Sequence, residues 1–145
     1  MPPSLRRRGG GNAIEFALLL PLWVLIIAAT MDFGWIFYHQ AVLDAAANMG
    51  CRSGSLLDPG DLDESLEMVE EATTARMTAV LTSFGGFEDP DDFILSVSTT
   101  GVPPSRSLLC EVSTEVEPLT GLVTTTRTLR ANQVARLEWQ REAAP

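Results

Sequence analysis

Residues 13–38 of the chain read AIEFALLLPLWVLIIAATMDFGWIFY, an apolar run whose only charged side chains are Glu15 near its start and Asp32 near its end. As a helix with a rise of about 1.5 Å per residue, residues 14–36 of this run are long enough to cross the roughly 30 Å of a hydrocarbon core. A helix in the core of a small soluble domain is rarely so long. The run therefore predicts a single membrane-spanning helix.

The charges around this run predict its orientation. Arg6, Arg7 and Arg8 precede the run, no comparable basic cluster follows it, and the whole chain has a formal net charge of −9. Because basic residues stay on the cytoplasmic side, the N-terminus is expected in the cytoplasm and the acidic remainder outside. This divides the chain into a cytoplasmic basic leader (1–10), a transmembrane helix (11–38) and an extracytoplasmic domain (39–145).

A cleaved secretory signal is the competing interpretation of the same run. Its apolar region is normally shorter than this one. It is followed by a cleavage site in which two small residues are separated by one residue of any kind. Ala28 and Ala29 could supply the small residues at such a site. This alternative would release the remainder of the chain as a secreted domain.

The two carboxylates within the run call for separate explanations, because an ionised side chain is costly in lipid. Asp32 lies about 25 Å along the helix from Glu15, so we expect it to reach the outer headgroups. Glu15 follows RRRGGGNAI, in which basic residues and then glycines precede the apolar helix. In a plain signal-anchor, the arginines would only set orientation and Glu15 would extend to the cytoplasmic interface.

The stretch from Arg6 to Ala47, with its EFALLLPL run and its Asp-Phe-Gly at residues 32–34, resembles the N-terminal region of TadE-like proteins. These are minor pseudopilins of the tight-adherence (Tad, or Flp) pilus system, which supports surface adherence. The resemblance implies a class III signal peptide that a prepilin peptidase cuts between Gly10 and Gly11, although the triple glycine leaves the register open. It also implies that Glu15 pairs with the freed α-amino group of a neighbouring subunit.

The same resemblance implies partners, none of which composition or spacing reveals. They are the inner membrane, the prepilin peptidase, other pseudopilins, the major pilin and the inner-membrane platform of the Tad system. Nucleic acid is not expected as a partner, because phosphate binding needs a basic face and this chain is acidic.

The remainder predicts an α+β fold, in which the transmembrane helix extends into the periplasm and is followed by a small domain. The first helix is expected to continue to Gly50 as its C-cap, and a second to cover residues 63–83. In the second helix, Leu66, Val69, Thr73, Arg76 or Met77, and Val80 recur at helical spacing. Alternating patterns at 93–100 and 108–116, and a Thr- and Val-rich segment at 122–131 after a turn at 118–121, predict three antiparallel strands. The second helix would cover this sheet, with the membrane helix outside it.

Both cysteines lie on the predicted outer side of the membrane, where thiols are normally oxidised. A disulfide between Cys51 and Cys110 is therefore expected, with two free buried thiols as the alternative. For a loop of this length, chain entropy predicts a stabilisation of about 4 kcal/mol.

Catalytic and metal-binding patterns have little support. The one histidine, His39, is expected at the membrane exit, and no second catalytic partner is apparent. The acidic clusters at 58–64 and 88–92 lack the ligand spacing of a calcium loop, so we expect solvated charge, no cofactor and no enzyme. Two non-enzymatic functions remain: a processed pseudopilin, or an unprocessed, signal-anchored module that binds or scaffolds in the periplasm. The fate of the leader distinguishes them.

Overall fold

The computed structural model describes residues 11–57, 65–84, 87, 89–102, 105–122 and 124–138. Along these residues run two helices, a single 3₁₀ turn and three strands, in the order α1 (Gly11–Ser55), α2 (Ser65–Phe84), the 3₁₀ turn (Pro90–Asp92), β1 (Phe93–Thr100), β2 (Ser107–Val116) and β3 (Arg127–Arg136). The predicted α+β class is confirmed.

Helix α1 has 45 residues and changes its surroundings along its length. Every residue from Ala13 to Ile27 is exposed, whereas from Ala28 onward one side of the helix is buried against the rest of the chain. The buried side chains recur every three or four positions, which is the spacing of one helical face. Of the described helices, α1 is also the one that is long and apolar enough to cross a membrane.

The prediction that α1 ends at Gly50 is wrong, since the helix continues to Ser55. Gly50 is needed for close approach instead: a Cβ atom there would lie 2.2 Å from Cγ of Met77 on α2. Gly54, one turn later, has the same role, because its Cβ would lie 2.0 Å from Oγ1 of Thr73. The two glycines let α1 and α2 pack with almost no space between them.

Helix α2 matches its prediction to within two residues at each end. Val69, Thr73 and Met77 are fully buried, and the Thr73 hydroxyl donates to the carbonyl oxygen of Val69 at 2.6 Å. Arg76 is exposed. The open choice between Arg76 and Met77 is therefore settled in favour of Met77.

The three strands form the expected antiparallel meander in the order β1-β2-β3. In the register, Cys110 of the central strand lies between Val97 of β1 and Gln133 of β3. Even-numbered β2 residues from Leu108 to Val116 are buried, and the odd-numbered ones are exposed or half-buried. One face of the sheet thus packs on the helices, as period-two alternation predicts.

The start of the third strand was predicted five residues too early. The segment predicted as strand begins at residue 122, but β3 begins at Arg127, so the connection covers residues 117–126 rather than a four-residue turn. We call residues 117–126 the β2–β3 loop. Threonine and valine have high β propensity, but the segment before Arg127 belongs to a connection that Thr120 attaches to α1.

Two helices cover the sheet, not α2 alone. Helix α1 lies against β2 and β3, and α2 lies against β1. Leu43, Ala46 and Ala47 of α1 are essentially inaccessible and share one core with Leu108 and Val112 of the sheet. The outer part of α1 is therefore a structural member of the domain.

Candidate functional site

Asp32 lies near the inner end of the contact between α1 and the outer domain. Its side chain is completely buried, although it lies within the apolar stretch of the helix. Oδ1 accepts a hydrogen bond from the backbone N–H of Thr120 at 2.7 Å, and Oδ2 accepts one from the Thr120 hydroxyl at 2.8 Å. One carboxylate thereby holds one residue of the β2–β3 loop through two hydrogen bonds.

This contact gives the Asp32 carboxylate a protein partner that the sequence did not predict. Both carboxylate oxygens face protein donors, and hydrogen bonds to a charged acceptor are stronger than neutral ones. Sequence spacing could not reveal the partner, because Asp32 and Thr120 are 88 residues apart. The only sequence signal was a costly carboxylate inside an apolar helix, which calls for a partner without naming it.

His39 lies about two turns beyond Asp32 on the same side of α1 and is also buried. Its ring centroid lies 4.4 Å from that of Trp35 and 5.5 Å from that of Phe87, which in turn lies 5.9 Å from Phe93 at the start of β1. The ring atom Nδ1 lies 2.9 Å from the carbonyl oxygen of Trp35, so Nδ1 carries a hydrogen and donates it. His39 is thus part of an aromatic cluster rather than an exposed interfacial residue.

Two further hydrogen bonds attach the domain to α1. The Tyr38 hydroxyl donates to the carbonyl oxygen of Phe84 at the end of α2. Two residues further along α1, Nε2 of Gln40 donates to the carbonyl oxygen of Arg130 on β3 at 3.1 Å. Both helix α2 and strand β3 are therefore attached to the same two turns of α1.

The predicted disulfide is present. Cys51 near the end of α1 is bonded to Cys110 in the middle of β2, with 5.9 Å between their Cα atoms, and both residues are completely buried. This Cα separation lies in the normal range for a bridge. The disulfide joins α1 covalently to the central strand.

The predicted processing and assembly residues lie at the opposite end of α1. Gly10 is outside the described residues, and Gly11 is the first residue of the helix. Glu15 lies one turn further on and is exposed, far from the contacts at Asp32, His39 and Cys51. Cleavage at Gly10–Gly11 and the pairing of Glu15 therefore stay predictions.

The described residues contain no group of three or more His, Cys, Asp or Glu side chains placed to hold a metal ion. What the geometry provides is mechanical. Hydrogen bonds at Asp32, Tyr38 and Gln40, together with the disulfide at Cys51, fasten the domain along one side of α1. Helix and domain therefore form one packed unit from Ala28 outward.

Comparison with known protein families gives one match, and it lies on this helix. The family model for TadE-like proteins matches residues 10–52, which cover α1 almost to its last turn. Residues 10–52 of the chain are therefore similar to TadE-like proteins. No curated protein and no solved structure matches the chain. The TadE-like match includes Asp32, His39 and Cys51 but ends before α2 and the sheet. TadE-like proteins are components associated with the Tad pilus and are structural rather than catalytic, which is consistent with a helix and domain built for attachment.

Proposed function

We propose that this chain is a TadE-like protein, a processed minor pseudopilin that takes part in the assembly of a Tad pilus and so in surface adherence. The observation that carries the proposal is the division of α1 within the TadE-like match. Residues 13–27 are exposed and apolar apart from Glu15, and the helix beyond them is fastened to a folded domain. A subunit of this form can sit in a membrane or pack beside other helices without any change in its outer domain.

The processing step concerns the start of α1. A prepilin peptidase would cut between Gly10 and Gly11 on the cytoplasmic side, removing the three arginines with the leader. The cut leaves a free α-amino group one helical turn before Glu15. Removing the arginine block also takes away the charge that would resist moving the helix out of the membrane.

The assembly step concerns Glu15. An exposed carboxylate in an apolar helix is costly in lipid unless a positive group neutralises it. The α-amino group of a neighbouring processed subunit is such a group. We propose that this ion pair sets the register between this chain and another pseudopilin or the major pilin on the inner-membrane platform of the Tad system.

The disulfide supports a periplasmic location for the outer domain. Disulfides persist in the bacterial periplasm and are rare in the cytosol. The arginine block precedes α1 in the sequence, and the disulfide lies near the other end of the helix. Together they support a single-pass inner-membrane protein with its N-terminus in the cytoplasm.

The first test is the intact mass of the protein recovered from membranes, in cells with and without their prepilin peptidase. A start at Gly11, or within the glycine run, that is lost without the peptidase supports the processed pseudopilin. An intact leader in both strains contradicts it and favours an unprocessed, signal-anchored binding or scaffold module. A start beyond Ala29 would make the chain a secreted domain.

The second test is Glu15→Ala, with Glu111→Ala as the matched control, since Glu111 is exposed on the sheet face that points away from the helices. Glu15→Ala should abolish pilus assembly, scored by electron microscopy of surface pili, while the disulfide still forms. Glu111→Ala should assemble normally. Normal pili with Glu15→Ala would remove the ion-pair proposal.

A further inference from the structure

The exposed part of α1 is too short to cross a bilayer by itself. Residues 13–27 extend about 22 Å at the helical rise, and a hydrocarbon core of about 30 Å needs about 20 helical residues. Counted from Ala13, that length reaches Asp32. The side of α1 that carries Ala28 and Asp32 is already covered by the chain's own outer domain. The last turn or so of the membrane-crossing length is therefore shared between lipid and protein.

The covering element is the β2–β3 loop. Thr120 is fixed to the Asp32 carboxylate by both its N–H and its hydroxyl. Side chains on an α-helix point back toward its N-terminus, so Thr120 is held slightly deeper than the Asp32 Cα atom. Ala28, one turn deeper on the same face, is only 5% exposed. Thr120 therefore lies at the level of α1 at which a span of about 30 Å counted from Ala13 ends.

Two large apolar side chains lie exposed near the tip of this loop, whereas Glu117, Thr125 and Thr126 are exposed nearer its ends. Leu119 is 55% exposed and Leu122 is 64% exposed. They flank Thr120 and Gly121, and the backbone turns at Gly121, whose φ is +64°. The same level of α1 exposes further large apolar side chains, among them Phe33 and Trp35. Leu119 and Leu122 therefore add to the apolar surface that α1 exposes near Asp32.

We propose that the tip of the β2–β3 loop, residues 119–122, is a second membrane contact that enters the outer leaflet at the boundary between headgroups and acyl chains, with Leu119 and Leu122 against lipid. The inference rests on the membrane-anchored state in the proposed function. It goes beyond that function because it gives the outer domain its own lipid-binding surface and a fixed depth.

The contact between Asp32 and Thr120 satisfies a polar group on each side. The loop removes the Asp32 carboxylate from lipid, where an ionised group is costly. The carboxylate in turn satisfies the backbone N–H of Thr120, which would otherwise lack a partner at a depth where water is scarce. The two hydrogen bonds hold the leucines at one depth, so the domain cannot rotate away from the bilayer without breaking them.

The test measures depth with nitroxide spin labels on the full chain in vesicles of phosphatidylethanolamine and phosphatidylglycerol. Labels are attached to Leu119→Cys and Leu122→Cys. A third label, at Trp23→Cys, reports the membrane span itself. A fourth, at Val102→Cys, reports the opposite end of the sheet, where Val102 is 75% exposed. Because Cys51 and Cys110 are bonded to each other, the unsubstituted chain should take up no label, and retention of the disulfide shows that each variant has folded.

We expect labels at 119 and 122 to collide with oxygen several-fold more often than with a water-soluble nickel complex. The label at 102 should show the reverse. Adding Asp32→Ala to the Leu119→Cys chain should reduce the preference for oxygen, since the loop loses its attachment.

Each other result has a separate meaning. A label at 23 in lipid with labels at 119 and 122 in water overturns the loop contact and leaves the membrane anchor intact. A label at 23 in water overturns both. Labels at 119 and 122 that are shielded from both reagents, and that lose dipolar broadening on dilution with unlabelled chain, would place a second copy at the loop and also overturn the lipid contact.

Discussion

The two halves of α1 are built from similar apolar residues but meet different surroundings. From Ala13 to Ile27 the helix carries large side chains that the rest of the chain leaves exposed. From Ala28 to Ser55 the buried face is rich in small residues, among them Ala46 and Ala47, and the domain packs closely against it. The apolar side chains are available to lipid in the first half and are buried in the protein core in the second. Small side chains on a helical face therefore mark the part that folds with the domain.

The largest expected effect comes from the covalent link in the outer half. Replacing both Cys51 and Cys110 by Ala should lower the free energy of unfolding of the outer domain by about 4 kcal/mol, because a long loop is released in the unfolded state. The measurement is a urea titration of the detergent-solubilised chain, followed by protease resistance of the domain. The unsubstituted chain with a reductant is the control and should lose a similar amount. An unchanged midpoint would mean that α1 and β2 are held together without the disulfide.

A smaller effect is expected from truncating a core leucine, and here the two halves can be compared directly. Leu43 in the outer half is completely buried, whereas Leu22 in the inner half is 54% exposed. Leu43→Ala should cost the domain about 3 kcal/mol through lost burial and a cavity. Leu22→Ala should leave the same urea transition unchanged. Equal effects at the two positions would contradict the division of α1.

The smallest effect is expected where the halves meet. Asp32→Ala should cost the domain about 2 kcal/mol, because the N–H and hydroxyl of Thr120 lose their acceptors. Asn48→Ala is the control, since Asn48 is exposed on the same helix and its truncation should change stability little. Hydrogen exchange at Thr120 provides a second measurement and should accelerate only in Asp32→Ala. Slow exchange in that variant would show that the loop is held by other contacts.

Much of the architecture could be predicted from local patterns. Helix α2, strands β1 and β2 and the buried Val69 and Thr73 follow from periodicity, which reports the face that each segment buries. The failures occurred where a distant residue decides the outcome. Gly50 has the local features of a helix end, but the close approach of Met77 makes it an interior residue. The connection before β3 is a second case, since Thr120 within it binds the distant Asp32.

The sequence by itself determined the apolar helix, the arginine block before it, the α+β class and the resemblance of residues 10–52 to TadE-like proteins, because each depends on composition or on spacing along one segment. Only the tertiary structure decided that Asp32 holds the β2–β3 loop and that His39 lies in an aromatic cluster. It also decided that α1 packs against β2 and β3. These features join residues that are far apart in the chain, and a buried polar group indicates that it needs a partner without indicating which one.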